Sequence, residues 1–189
     1  MLYYKYLSNI IKEVKIVYKA LTIAEWLVFH SLKMNDAEFT HMKLQKLLYY
    51  MQGAFLALKD EPLFEDTIIA KQHGPVVPNV YNCYKKFGRE RILPDVLDSA
   101  PENIIEADDS IILSAIYDIY GPYTASQLRN KSHSEQPWIA TPKESEIKKD
   151  IIKQFFKEVF ADVISGKIFE KIPIEESKKN AEGYLIYQD

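Results

Sequence analysis

The stretch "FTHMKLQKLLYYMQGAFLAL" (Phe39–Leu58) sets the architecture of this 189-residue chain. Leu44, Leu47, Leu48, Met51, Phe55 and Leu58 recur at intervals of three and four, the spacing of one helical face. Tyr49, Tyr50 and Leu56 extend the apolar surface onto both flanks. A helix apolar around so much of its circumference is predicted to run through the middle of a domain. Thr40 is placed to cap it, bracketed by Phe39 and Leu44, although Lys43 stands where a capping box carries Glu or Gln. Gln45 and Gln52 lie seven apart and share a face, so under cover each amide needs a hydrogen-bond partner. Lys43 and Lys46 project off the stripe. Long charged side chains are rarely fully buried, so both are expected at the surface, where a partner can reach them.

Working outward, residues 1–20 show Tyr3, Leu7, Ile10, Val14 and Val17 at helical spacing, continued by Leu21: an amphipathic N-terminal helix that packs on the domain or on a partner. Thr22 and Glu25 predict a capping box at the next helix, with Leu21 and Trp26 as its staple; Thr124 and Gln127 predict another, flanked by Tyr123 and Leu128. Downstream, residues 67–73 read as a short β-branched strand ending at His73. Gly74 permits a sharp reversal, Pro75 stiffens it, Pro78 suits a first helical turn and Gly88 a helix stop. Residues 89–109 are loop-rich with an acidic cluster at Glu106, Asp108 and Asp109. Helices are expected over 110–120, 124–131 and 146–165, the last turning Ile147, Ile151, Ile152, Phe155, Phe156, Val159, Phe160 and Val163 inward. The predicted class is mainly α (α+β), a compact helical domain around a central buried helix with a small β element near residues 67–73. Its parts are an N-terminal extension (1–20), the domain (21–166) and a C-terminal tail (167–189).

Composition narrows the function. At 47% hydrophobic and 27% charged, the chain has the make-up of a globular protein with a substantial core. Lysines and arginines number 24 against 27 acids, for a net charge of −3, which argues against nucleic acid as the principal partner while leaving room for a local basic patch. One cysteine, Cys83, rules out an intrachain disulfide and a cysteine-rich zinc site. Neither a signal-peptide pattern nor an apolar run long enough to span a bilayer is present in the sequence, so no membrane role and a cytoplasmic location are expected. Thirteen tyrosines mildly favour a binding surface.

The chemistry-bearing residues do not assemble a catalytic pattern. His41, His73, His133 and Glu135, with Ser132 and Ser134 beside them, offer an imidazole, hydroxyls and a carboxylate. Nucleophilic catalysis needs a nucleophile, a base and an orienting group in register, and their spacing shows no such convergence. There is no phosphate loop, HExxH or G-x-S-x-G elbow. No enzyme activity, metal or cofactor is therefore expected. Residues 110–133 admit a helix-turn-helix reading with Arg129, Asn130 and Lys131 as DNA contacts, against the commoner structural helical hairpin. His73-Gly74-Pro75 reads foremost as a corner between strand and helix.

Three phrases, Phe39–Leu58, "IIAKQHGPVVPNVY" (Ile68–Tyr81) and "LRNKSHSEQPWIAT" (Leu128–Thr141), together resemble the Panacea, or SocA-like, antitoxin family, over about residues 22–141. The resemblance rests on Thr40, Lys43, Leu44, Gln45, Lys46, Leu47, Tyr49, His73, Gly74, Pro75, Val76 and Pro78, then on Leu128, His133, Glu135, Pro137 and Trp138. Ser132 stands where the family usually carries Thr, and Gln72 where it favours an aromatic. The resemblance implies a mostly helical antitoxin of a two-gene toxin–antitoxin system, of prophage or mobile-element origin, that neutralises its toxin by direct binding. It makes Lys43, Gln45, Lys46, Tyr49, His73, Gly74, Pro75, His133, Glu135 and Trp138 the candidate partner-binding residues. A second copy of the chain is a further candidate partner. The alternatives are a DNA-binding regulator and an adaptor presenting a bound protein to a protease.

Overall fold

A computed structural model describes residues 17–93 and 104–165. Its axis is the helix read from Phe39–Leu58, here α2 (His41–Leu58), in which every residue but Met42 and Leu58 is buried. Thr40 caps it as expected, its hydroxyl accepting the Lys43 amide. Around α2 stand α1 (Ala20–Lys33), α3 (Pro78–Tyr84), α4 (Ala107–Tyr120), α5 (Ala125–His133) and α7 (Lys149–Val159), all touching it. Two single-turn helices, α6 (Gln136–Ile139) and α8 (Ala161–Ile164), flank α7. The class is mainly α with one small sheet.

Leu44, Leu47, Leu48 and Met51 are fully covered, each contributing about 1.5–3 kcal/mol by leaving water. The closest approach is between α2 and α7. A Cβ on Gly53 would stand 2.2 Å from the Phe156 ring, so glycine lets that ring lie on the α2 backbone. Phe156 then meets Tyr49 and Tyr50 edge to face. Gln52 meets the demand its position created: its amide donates to the Phe64 carbonyl, and its oxygen accepts the Leu63 and Phe64 amides. One side chain thus ties the chain after α2 back onto the helix.

The β element is a hairpin. β1 (Ile69–Lys71) pairs antiparallel with β2 (Gly74–Val76) in the register Ile69↔Val76, Ala70↔Pro75, Lys71↔Gly74. The expected strand over 67–73 is therefore shorter, and His73 sits in the turn with Gln72. Gly74 adopts φ +97°, a conformation open to glycine. The second strand was hidden because Gly-Pro-Val carries no alternation to read. The outer edge of β1 is covered as well: Ala70 donates to Ser145 and accepts from Glu144, while Ile147 donates to Ile68.

Several boundaries differ from expectation. Val17–Lys19 is extended, not helical: Tyr18 bridges to Phe64, and its amide donates to the Leu63 carbonyl. The helix expected over 1–20 therefore does not reach α1, and its residues 1–16 lie outside the described residues. α1 starts at Ala20, so Thr22 lies inside it and caps nothing. The Thr124–Gln127 capping box forms as read. α4 begins at Ala107, placing Asp108 and Asp109 in its first turn, where the helix dipole favours acids. The helix expected over 146–165 starts late because Glu146–Ile147 is drawn to β1, and it breaks at Phe160. Ile152, Phe156 and Phe160 face inward, whereas Ile151, Val159 and Val163 are exposed. The tail from 167 lies outside the described residues.

Candidate functional site

α2 presents Lys46, Tyr49 and Tyr50 on one side, since positions three and four apart share a face. The hairpin and the α5–α6 segment close over that side. Lys46 donates to the Pro75 carbonyl at 2.8 Å, beneath the hairpin. A Cβ on Gly74 would fall 2.8 Å from the Lys46 amine and 2.9 Å from the Ser132 hydroxyl. The glycine is therefore needed twice, for its backbone angle and for the room it leaves where three elements meet. Next to Lys46, the Gln45 oxygen accepts the Val77 amide at 2.8 Å, fixing the chain between hairpin and α3.

Both lysines depart from expectation, with only 3% of Lys43 and 1% of Lys46 exposed. They part company in space. Lys43 turns toward the α1–α2 loop and pairs with Asp36 at 2.6 Å, while Asp36 also accepts the Tyr117 hydroxyl. It ties α2, the loop and α4 together away from the hairpin. The other nine candidates gather around the hairpin and the α5–α6 segment.

His133 ends α5 and stacks on Trp138 at 4.1 Å, nearly parallel. The Trp138 indole donates to the Lys71 carbonyl at 3.0 Å, so the stack is pinned to the hairpin. Glu135 is buried; its carboxylate accepts the Tyr50 hydroxyl at 3.1 Å and lies 3.8 Å from Lys131. The Tyr49 hydroxyl acts on the same carboxyl but meets no partner at bonding geometry, and one Glu135 oxygen is likewise left over. Tyr50 stacks face to face on Tyr120.

Burial governs the electrostatics. The Lys46 ammonium is pushed down to about 7, first by loss of solvent and then by Arg129. Loss of solvent, then Arg129, Lys46 and His73, lower the His133 imidazole, against a raising contribution from the His73 backbone. His41 is lowered by burial and by Lys46. Burial raises the Glu135 carboxyl, while Lys131, Tyr49 and Tyr50 pull it back.

His73 is exposed at the hairpin tip, on the rim of a groove of about 430 Å³. Lys71, Gln72, Val76, Pro78, Tyr81, Asn82 and Glu144 complete its lining. The Tyr81 ring also packs against buried His41, with ring centroids 4.8 Å apart. From sequence, Arg129 was placed only among possible DNA contacts, and His41 was grouped with His73, His133 and Glu135 only for a catalytic reading; a helical register shared with His133 and with Gln45 ties them to this site. Ser132, next to His133, donates its hydroxyl to the Arg129 carbonyl. Among the described residues no group of three or more His, Cys, Asp and Glu is arranged to hold a metal, and no helix is long and apolar enough to cross a membrane. The suggested DNA-reading helix, α5, lies against α2 and β2 with Leu128 and Ser132 covered; of its three candidate contacts, Asn130 and Lys131 are exposed.

Comparison with known proteins follows the same residues. Positions 44–139 match the family described as Antitoxin SocA-like, Panacea domain. Antitoxin SocA of Caulobacter vibrioides is 34% identical over 117 residues, covering 54% of this chain and 60% of its own. This chain thus spans 60% of that relative's length. No solved structure matches. The matched segment contains the hairpin, the groove rim and the α5–α6 stack, and by that match the chain belongs to the SocA-like Panacea domain family of antitoxins.

Proposed function

We propose that this protein neutralises a toxin by direct protein–protein contact, through the face formed by the hairpin tip, α3 and the α5–α6 segment. The observation that carries the reading is the coincidence of family match and geometry: nine of the matched positions singled out from sequence, from Gln45 to Trp138, support or rim one face. That face is rigid underneath and open on top, with Gln72, His73 and Tyr81 exposed around the groove. Rigidity limits the ordering cost of association, and an exposed tyrosine supplies amphipathic contact area. Binding, without turnover of a substrate, is the proposed mode of action. Prophage or mobile-element origin and a cytoplasmic location complete the reading, and both are supported through the family alone.

Co-expression with the product of the adjacent reading frame tests it. Growth is expected to be rescued by the parent chain, and rescue is expected to weaken for His73→Ala and Tyr81→Ala while both variants keep the parent melting temperature. Toxicity that persists beside the parent chain, or a neighbour that is not toxic alone, overturns the function. Rescue unaffected by both variants moves the interface elsewhere.

A further inference from the structure

The cluster beneath the hairpin is one-sided in charge. Lys46, Arg129, His133 and His73 act on one another across α2, α5 and the hairpin turn, and His41 adjoins Lys46 from the previous turn of α2. Glu135 keeps one oxygen on Tyr50 and Lys131 and the other without a partner among the described residues, and it is not among the groups acting on Lys46, His133 or His41. Four nitrogens here are buried without a hydrogen-bond partner among the described residues: His41 Nε2, Gln45 Nε2, Arg129 Nε and His133 Nε2. Buried donors are normally satisfied, and leaving one unmade is costly. The Gln45 and Arg129 nitrogens are donors outright, and the two imidazole nitrogens donate when protonated or in the Nε2–H tautomer, so this set around a covered ammonium can serve an anion. A partner group can reach the cluster, because Arg129 and His133 are partly exposed and His73 is exposed, while Lys46 is buried beneath the hairpin.

We propose that this cluster receives a carboxylate of a partner polypeptide, carried by an acidic side chain or by the chain end, with Arg129 and His133 as the first contacts and Lys46 as the charge behind them. A carboxylate has two oxygens able to accept about four hydrogen bonds, and its plane suits the edge of a guanidinium. Both sources share this chemistry. The stack of His133 on Trp138 and the Lys46 bond to Pro75 hold the donors in place before binding, which is the arrangement that lowers its entropic cost. The inference deepens the contact face proposed above, but its test uses small probes and needs no toxin.

The full chain is titrated with N-acetylglycine, which mimics a chain end, and separately with N-acetylglutamic acid α-amide, which mimics a side chain. Sodium chloride and methyl phosphate at matched ionic strength are the controls, and the histidine ring resonances are followed by NMR. Saturable shifts of the His133 ring are expected with at least one carboxylate, and the tighter probe identifies the source. Binding is expected to weaken about tenfold in Arg129→Gln, one charge-assisted hydrogen bond being lost. It is also expected to fade as pH rises through about 7, where Lys46 loses its proton; burial and the neighbouring cations hold the His41 and His133 imidazoles below their ordinary range, so neither replaces that charge. Arg129 is half-exposed, so this variant should keep the fold, and its melting temperature verifies that. Equal responses to chloride and carboxylate, tighter binding of methyl phosphate than of either carboxylate, or an unchanged Arg129→Gln titration overturns the proposal.

Discussion

Lys43→Met gives the sharpest test of the packing argument. The Lys43 side chain is 4% exposed and that of Asp36 12%, with their charged atoms 2.6 Å apart. Removing the amine leaves a largely covered carboxylate with the Tyr117 hydroxyl, at 2.9 Å, and the Glu38 amide, at 3.1 Å, as its remaining donors. Breaking a buried pair in this way costs about 3–5 kcal/mol. Here Asp36 also borders a groove with Met34, Asn35 and Glu38, where water can replace part of the lost contact. The expected loss is therefore about 2–4 kcal/mol, equivalent to about 5–15 °C in melting temperature for a chain of this size. Urea unfolding of the parent, Lys43→Met, Asp36→Asn and the double variant measures both the loss and the coupling. Since an apolar replacement of both charges is often nearly neutral, the double variant should recover much of the loss. A Lys43→Met protein within about 0.5 kcal/mol of the parent, the range of ordinary surface substitutions, would refute the burial argument and restore the exposed lysine expected from sequence.

Gly74→Ala should lower stability by at least about 1–3 kcal/mol through its backbone angle alone, and it should disturb Lys46 and Ser132, which a Cβ would touch; circular dichroism melts check it. Gly53→Ala must displace the Phe156 ring, and overpacking of this kind costs about 1–3 kcal/mol; a melting temperature equal to the parent's would show that α7 slides freely on α2. Leu47→Ala removes a fully covered side chain and should cost about 2–5 kcal/mol in urea unfolding. For Lys46 the folded pKa lies below the unfolded one, so between about 7 and 10.5 the unfolded chain binds the extra proton and stability rises with pH, by up to about 1.4 kcal/mol per pH unit. Unfolding measured from pH 7 to 9 should show that slope, and Lys46→Met should flatten it.

What could be read in advance followed from how local each instruction was. The α2 stripe, the Thr40 cap, the Thr124–Gln127 box and the need for partners at Gln52 are encoded within one or two helical turns, and each appears in the structure, whereas Gln45 is met at its oxygen but not at its nitrogen. Thr22 failed because Tyr18 found long-range partners in Leu63 and Asp109, which fix the chain as extended just before α1. The burial of Lys46 depends on a carbonyl 29 positions away, and no local pattern announces such a partner. Residues 146 and 147 were assigned to a helix by their apolar spacing, whereas their backbone was claimed by a strand edge nearly eighty residues earlier. The candidate site was legible as a set of residue types, through the three phrases. Its geometry was not, since it separates Lys43 from the rest and brings in Arg129 beside Lys46 and His133.

The two ties that hold the hairpin, the Trp138 indole on Lys71 and the 144–147 segment along β1, have a consequence for synthesis. Domains assemble in the order in which the ribosome delivers them, and a hairpin of two three-residue strands has little stability of its own. When Gly74 emerges, α1 and α2 are already present to be covered, but the chain that locks the tip is still about seventy residues from being made. The proposed contact face is therefore braced only after most of the core is in place, and a nascent chain lacking residues beyond 135 carries a tip without these two ties. Any contact made through the tip must therefore wait until residues 138–147 have been made and have docked on β1.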